Sequence, residues 1–137
     1  KHAQPPNYFR RTEMGWAIDG DCFYQTMKIL QDDYGNPPVF ITENGGAFTD
    51  IPKANGQIDD QDRIAYYTEY LEALLRAKSE GADIRGYMPW SLLDNFEWAY
   101  GYEKRFGLVH VDYTTQKRTP KASYDFMRKV ISQNALP

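Results

Sequence analysis

Apolar residues at Phe23, Met27 and Leu30, separated by polar and charged side chains, follow a helical period and predict a helix over residues 21–33. Asp19 or Asp21 stands where an N-cap is needed, and Gly35 lies just past the end. Asn36-Pro37-Pro38 breaks the pattern; Val39-Phe40-Ile41-Thr42 then predicts a short buried strand running into Glu43 and an Asn44-Gly45 turn. A second helix is predicted from Asp59 or Asp60 to Gly81, with Ile64, Tyr67, Leu71, Leu74, Leu75 and Lys78 on its inner face. Residues 84–91 have strand character, with Pro89 restricted to the end or a bulge because proline has no N–H to give a ladder. Residues 106–113 alternate like a short extended segment and residues 114–118 turn. Thr119 and Pro120 predict the N-cap and first position of a third helix, with Ser123, Phe126, Met127, Val130 and Ile131 facing inward. Residues 1–15, 44–58 and 92–105 carry no period and read as loops.

The order helix, strand, helix, strand, helix, with no hairpin between the main strands, is α/β logic: a parallel pair joined by a right-handed crossover. Two strands leave both edges open and cannot cover three helices, so other strands are expected beside them. Glu43 falls at the C-terminal tip of its strand, where parallel α/β folds place their chemistry. A strand-end glutamate chosen blindly is usually an ordinary solvent-facing residue, so the rest of the chain has to decide.

The 137 residues suffice for one domain, and 42% hydrophobic with 26% charged residues is a folded composition. Eleven Tyr, seven Phe and three Trp exceed what a small core needs and suit a surface that stacks on apolar ligand faces. A net charge of −3 and a pI near 5.3 give no footprint for a polyanion, so no nucleic acid partner is expected. Lys104-Arg105 and Lys117-Arg118 read as solvated turn residues. Cys22, the one cysteine, excludes an internal disulfide and reads as a small buried hydrophobe in a reducing, cytoplasmic setting. His2 and His110 have no partner at ligand spacing, so no metal and no cofactor are expected. No apolar run approaches membrane-spanning length, and residues 1–6 lack the apolar segment of a signal peptide. The missing initiator Met and loop-like start suggest a chain that begins inside something longer.

Four stretches carry a resemblance: Ile41-Thr42-Glu43-Asn44-Gly45, Trp90-Ser91-Leu92-Leu93-Asp94-Asn95-Phe96-Glu97-Trp98, Lys104-Arg105-Phe106-Gly107 and Thr119-Pro120-Lys121. In order and approximate spacing they resemble the C-terminal portion of family 1 glycoside hydrolases, the β-glucosidase family. The resemblance implies the end of a (β/α)8 barrel: the sixth helix, the seventh strand and helix, and the eighth strand and helix. Residues 1–137 would then be the C-terminal segment of a single catalytic domain. Such a barrel needs about 250 residues, so this segment cannot close one.

The implied activity is retaining hydrolysis of terminal β-D-glucosides. Two carboxylates about 5–5.5 Å apart divide that work, one attacking the anomeric carbon and one protonating the leaving group and then activating water. Glu43 matches the family's nucleophile. Its acid/base partner belongs to a Thr-x-Asn-Glu-Pro type motif on an earlier strand, which nothing here matches. The implied partners are therefore a β-glucoside or oligosaccharide substrate and the N-terminal remainder of the barrel, as a second chain or a missing segment. By spacing alone Glu97 is also a candidate companion for Glu43; the resemblance assigns it instead to sugar hydroxyls remote from the reacting carbon. It also implies that Trp90 stacks beneath the glycone and that Trp98 donates its indole N–H to a hydroxyl. Trp16 would belong to an aglycone platform, and Phe106 would pack at the pocket rim or in the core. A carboxylate at Glu97 repels phosphate and favours unphosphorylated sugars. Two other readings remain: a non-catalytic sugar-binding or structural fragment, and an unrelated small α/β module.

Overall fold

The computed structural model describes residues 8–137; His2 and the first part of the predicted N-terminal loop lie outside them. Helix α1 spans Gly20–Asp33, and Asp19 caps it by accepting a hydrogen bond from the Cys22 N–H at 2.9 Å. Past its end, Gly35 takes the left-handed φ of 72° that favours glycine. The helix buries Gly20, Tyr24 and Met27. Cys22 is exposed, contrary to its expected burial. Two positions away from the Gly20–Tyr24 stripe is about 200° around a helix, which turns the thiol outward.

Strand β1 covers Val39–Asn44 and β2 covers Ile84–Pro89, ending on its proline. They pair in parallel, as expected. Between them α2 spans Gln61–Ser79 and packs against α1. Its inner face includes Tyr67, Leu71 and Leu74 as anticipated, and also Arg63, Tyr66, Ala73 and Ala77. Leu75 is 47% exposed and Lys78 is exposed, which corrects their placement on that face. Each stands next to a buried position, about 100° round the helix. The Lys78 ammonium folds back onto the Ile84 carbonyl.

The end of the chain differs most from expectation. Thr119 and Pro120 do not open the last helix; they belong to a strand, Arg118–Pro120, which follows Val109–Val111. Calling these strands β4 and β3, the pair is antiparallel with His110 opposite Thr119. The Asp112 carboxylate accepts from the Thr114 and Thr115 N–H groups and forms the connecting turn. The ladder therefore holds residues 118–120 extended, and α3 starts one residue after Lys121, spanning Ala122–Gln133. Ser123 and Met127 are buried on it, whereas Ile131 is 73% exposed.

The core has two clusters. One joins Ile18, Phe48, Tyr66, Tyr67, Leu71, Leu108 and Met127; the other joins Tyr24, Met27, Leu74, Ala77, Ala82 and Ile84. Phe40 on β1 and Met88 on β2 remain 54% and 50% exposed. The two-stranded parallel sheet keeps both outer edges unpaired among the described residues. This is consistent with a piece of a (β/α)8 barrel. No helix of the described residues is long and apolar enough to cross a membrane.

Candidate active site

A cleft of ≈360 Å³ opens at the C-terminal ends of β1 and β2. It brings together Trp16, Glu43, Trp90, Glu97, Trp98 and Phe106, every residue singled out as a candidate from sequence. Asn44, Gly45 and Tyr66 complete its wall.

Glu43 lies one residue before the end of β1 with its side chain exposed to the cleft. The neighbouring strand tips are tied together directly behind it. Trp90 N–H donates to the Asn44 carbonyl at 2.8 Å, and Tyr67 Oη–H donates to the Trp90 carbonyl at 3.2 Å. A Cβ on Gly45 would stand 1.8 Å from the Trp90 carbonyl oxygen, so only glycine lets the backbones approach this closely. The peptide bond from Trp90 to Ser91 is cis. Beyond it, Ser91 N–H donates to the Phe106 carbonyl at 3.2 Å and its own carbonyl accepts from Leu108 N–H at 2.8 Å. Phe106 is 3% exposed, and its ring centroid lies 6.0 Å from that of Trp16. It therefore contributes to the core and to the cleft wall together.

Glu97 and Trp98 are carried by a tight loop. Trp98 opens a single 3₁₀ turn, Trp98–Tyr100, with a left-handed φ of 37° that is unusual for a bulky side chain. Bonds from Glu97 N–H to the Gly101 carbonyl at 2.6 Å and from Tyr100 N–H to the Glu97 carbonyl at 2.8 Å close the turn. The Trp98 ring is 83% exposed over the cleft, whereas Glu97 is half-buried.

Beneath this loop lies a buried charge cluster that sequence spacing did not reveal. Asp94 accepts from the N–H groups of Gly107 at 2.9 Å and Val111 at 3.2 Å, from Arg105 at 3.1 Å and from the Lys121 ammonium at 3.0 Å. Lys121 also pairs with Asp50, and Arg63 pairs with Asp50 and Asp60. Asp60, expected as a cap for α2, uses its carboxylate on Arg63 and on the N–H and hydroxyl of Ser123 instead. Asp50, Asp94 and His110 offer ligand atoms within 4.8 Å of one another, a grouping compatible with a metal. The Lys121 ammonium between the two carboxylates already supplies a cation there. Burial, with the repulsion of Arg63, holds its pKa below the ordinary lysine value against the pull of Asp50 and Asp94.

Tyr66 was not foreseen in the wall. Its phenol accepts from Asn44 Nδ2 at 3.1 Å, and burial pushes its pKa well above the ordinary tyrosine value. It serves as a hydrogen-bonding group for Asn44. Asn44 was visible as a turn residue within the Ile41–Gly45 stretch; nothing in its spacing revealed that its side chain bonds to Tyr66 on α2. The carboxylates lining the cleft are Glu43 and Glu97. The arrangement offers one carboxylate on a rigid strand tip, a second on a loop, and three indole rings around them.

The chain is 48% identical over 128 residues to a bifunctional β-D-glucosidase/β-D-fucosidase of Bifidobacterium breve and 47% identical over 126 residues to β-glucosidase A of Acetivibrio thermocellus. Those alignments cover 90% and 92% of this chain and 28% of each relative. A solved family 1 β-glucosidase from Thermotoga maritima superposes with a TM-score of 0.93 at 44% identity, over 97% of this chain and 30% of that one. The chain thus spans under a third of the length of the relatives it matches. The family model for glycosyl hydrolase family 1 matches residues 1–136, and the chain belongs to that family, as a C-terminal portion of it.

Proposed function

We propose that this chain is the C-terminal segment of a single (β/α)8 catalytic domain that hydrolyses terminal β-D-glucosides with retention of configuration. In this reading α1 is the sixth barrel helix, β1 and α2 the seventh strand and helix, and β2 and α3 the eighth. The rest of the barrel covers the open edges of β1 and β2. The observation that carries the reading is the convergence of six candidate side chains on one cleft at the strand tips.

Glu43 attacks the anomeric carbon from below the sugar ring and forms a glycosyl-enzyme ester, while an acid on an earlier strand, outside this chain, protonates the departing oxygen. The same acid, now a base, draws a proton from water, which displaces Glu43 and restores the β configuration. Trp90 stacks beneath the glycone, where C–H bonds of the sugar meet the ring face. Glu97 accepts hydrogen bonds from hydroxyls away from C1, and Trp98 donates its indole N–H to one of them. The Glu97 carboxylate opposes a phosphorylated sugar. Trp16 and Phe106 shape the entrance.

The test is Glu43→Ala in the complete enzyme. Turnover of a glucoside with a good leaving group should fall by at least about 10³-fold, in line with loss of a nucleophile. Added azide should restore part of the rate and yield the α-glucosyl azide, because the anion attacks from the vacated face. Undiminished turnover, or a β-azide product, would refute the assignment. Sugar binding without any turnover in the complete wild-type enzyme would favour a non-catalytic sugar-binding role.

A further inference from the structure

The pairing of β1 with β2 is irregular where the chemistry sits. Ile41 lies opposite Tyr87 and Asn44 opposite Pro89, so three steps along β1 face two along β2. The extra residue falls at Thr42 and Glu43, where β1 bulges. A bulge re-aims a side chain and leaves backbone out of the ladder, so the direction of Glu43 needs an anchor outside the regular pairing.

Asn44 has the contacts to provide it. Its carbonyl accepts from the Trp90 N–H at 2.8 Å and closes the bulge. The Asn44 carboxamide meets a set of tyrosines. Oδ1 accepts from Tyr87 Oη–H at 2.7 Å, and Nδ2 donates to Tyr66 Oη at 3.1 Å. Tyr87 lies on β2 and Tyr66 on α2, so the amide is gripped from the neighbouring strand and from the crossover helix. Tyr66 is in turn stacked on Tyr70 at 4.4 Å between ring centroids and meets Tyr67 edge-on at 5.7 Å. Both gripping phenols remain protonated, since burial pushes each pKa far up. In this arrangement Tyr87 is the donor to the amide oxygen and Tyr66 the acceptor from the amide nitrogen.

We infer that Asn44 is a positioning residue for Glu43: the Tyr87–Asn44–Tyr66 clamp fixes the end of the bulge and with it the line along which the Glu43 carboxylate meets its substrate. This rests on the nucleophile role proposed for Glu43. Removing one phenolic oxygen leaves the fold's volume intact but lets the amide turn. The cost should appear in the bond-forming step more than in substrate affinity, because the sugar contacts proposed above come from Trp90, Glu97 and Trp98 and not from the two phenolic oxygens.

The experiment uses Tyr87→Phe and Tyr66→Phe in the complete enzyme, treated with 2,4-dinitrophenyl 2-deoxy-2-fluoro-β-glucoside. Saturation kinetics separate the first-order trapping constant from the dissociation constant, and thermal melts report stability. Trapping should slow about tenfold in each variant, with the dissociation constant within about twofold of wild type. Wild-type trapping constants accompanied only by a lower Tm would make the clamp merely structural and overturn the inference. A raised dissociation constant at unchanged trapping would overturn it as well. If the wild-type enzyme is not labelled at all, the nucleophile reading itself fails and takes the clamp with it, which separates the two failures.

Discussion

At the scale of single residues, Glu97 and Trp98 show how much of a site depends on a few bonds. Trp98 holds a left-handed backbone that costs on the order of 1–3 kcal/mol, retained by hydrogen bonds from Glu97 and Tyr100 across one turn. In the function proposed above, this strained indole and the half-buried carboxylate beside it serve sugar recognition. Glu97→Gln should reduce kcat/KM for an unphosphorylated glucoside about 10–100-fold, the effect of weakening charge-assisted hydrogen bonds of about 1.5–3 kcal/mol. Trp98→Phe, which retains a ring and removes the N–H, should cost about tenfold or less. Steady-state kinetics on both variants check this, and unaltered kinetics would remove them from the site. Glu43, Glu97, Trp90 and Trp98 were legible because each lies in a contiguous motif, whereas Trp16 lies outside those stretches and was reached only through the resemblance. The contacts of Asn44, Tyr66 and the Asp50–Lys121–Asp94 cluster were not legible, although Asn44, Asp94 and Lys121 also fall in those stretches. Their meaning comes from contacts between residues 22 to 71 positions apart in sequence, which no local pattern encodes.

At the scale of elements, the α2 helix was legible from its period, but its inner face was not read in full. Arg63 and Tyr66 look like surface residues in a polar helix; buried ion pairing and a hydroxyl network make them interior ones. The start of α3 was misplaced for a related reason. Thr-Pro is a good helix opening locally, and the β3–β4 ladder overrides it. The tyrosines of α2 and β2 yield a pH dependence. Burial raises the pKa of Tyr67 above its ordinary 10.0, so above pH 10 the unfolded chain has lost a proton that the folded one keeps. Stability contributed by the protonated phenol is therefore full below pH 10 and declines as pH rises beyond it. Urea unfolding of the complete enzyme between pH 8 and 11 should show a shallower decline for Tyr67→Phe than for wild type; equal declines would contradict the buried, neutral phenol. Gly45→Ala addresses the join between strand tips. Backbone has to move to admit its Cβ, and a loss of about 1–3 kcal/mol is expected by denaturant unfolding. An unchanged midpoint would mean that the tips are not in contact.

At the scale of the whole molecule, an unpaired parallel pair with exposed Phe40 and Met88 is an incomplete sheet, and the chain spans less than a third of its relatives. The sequence already implied this, since two strands cannot cover three helices. In the function proposed above, activity belongs to the full barrel, where an acid from an earlier strand would face Glu43. The most direct measurement is peptide mapping by tandem mass spectrometry after the complete enzyme is trapped with 2,4-dinitrophenyl 2-deoxy-2-fluoro-β-glucoside. One fluoroglucosyl group esterified to Glu43 is the result expected. A trapped adduct on Glu97 or on any other side chain, with Glu43 unmodified, would contradict the account.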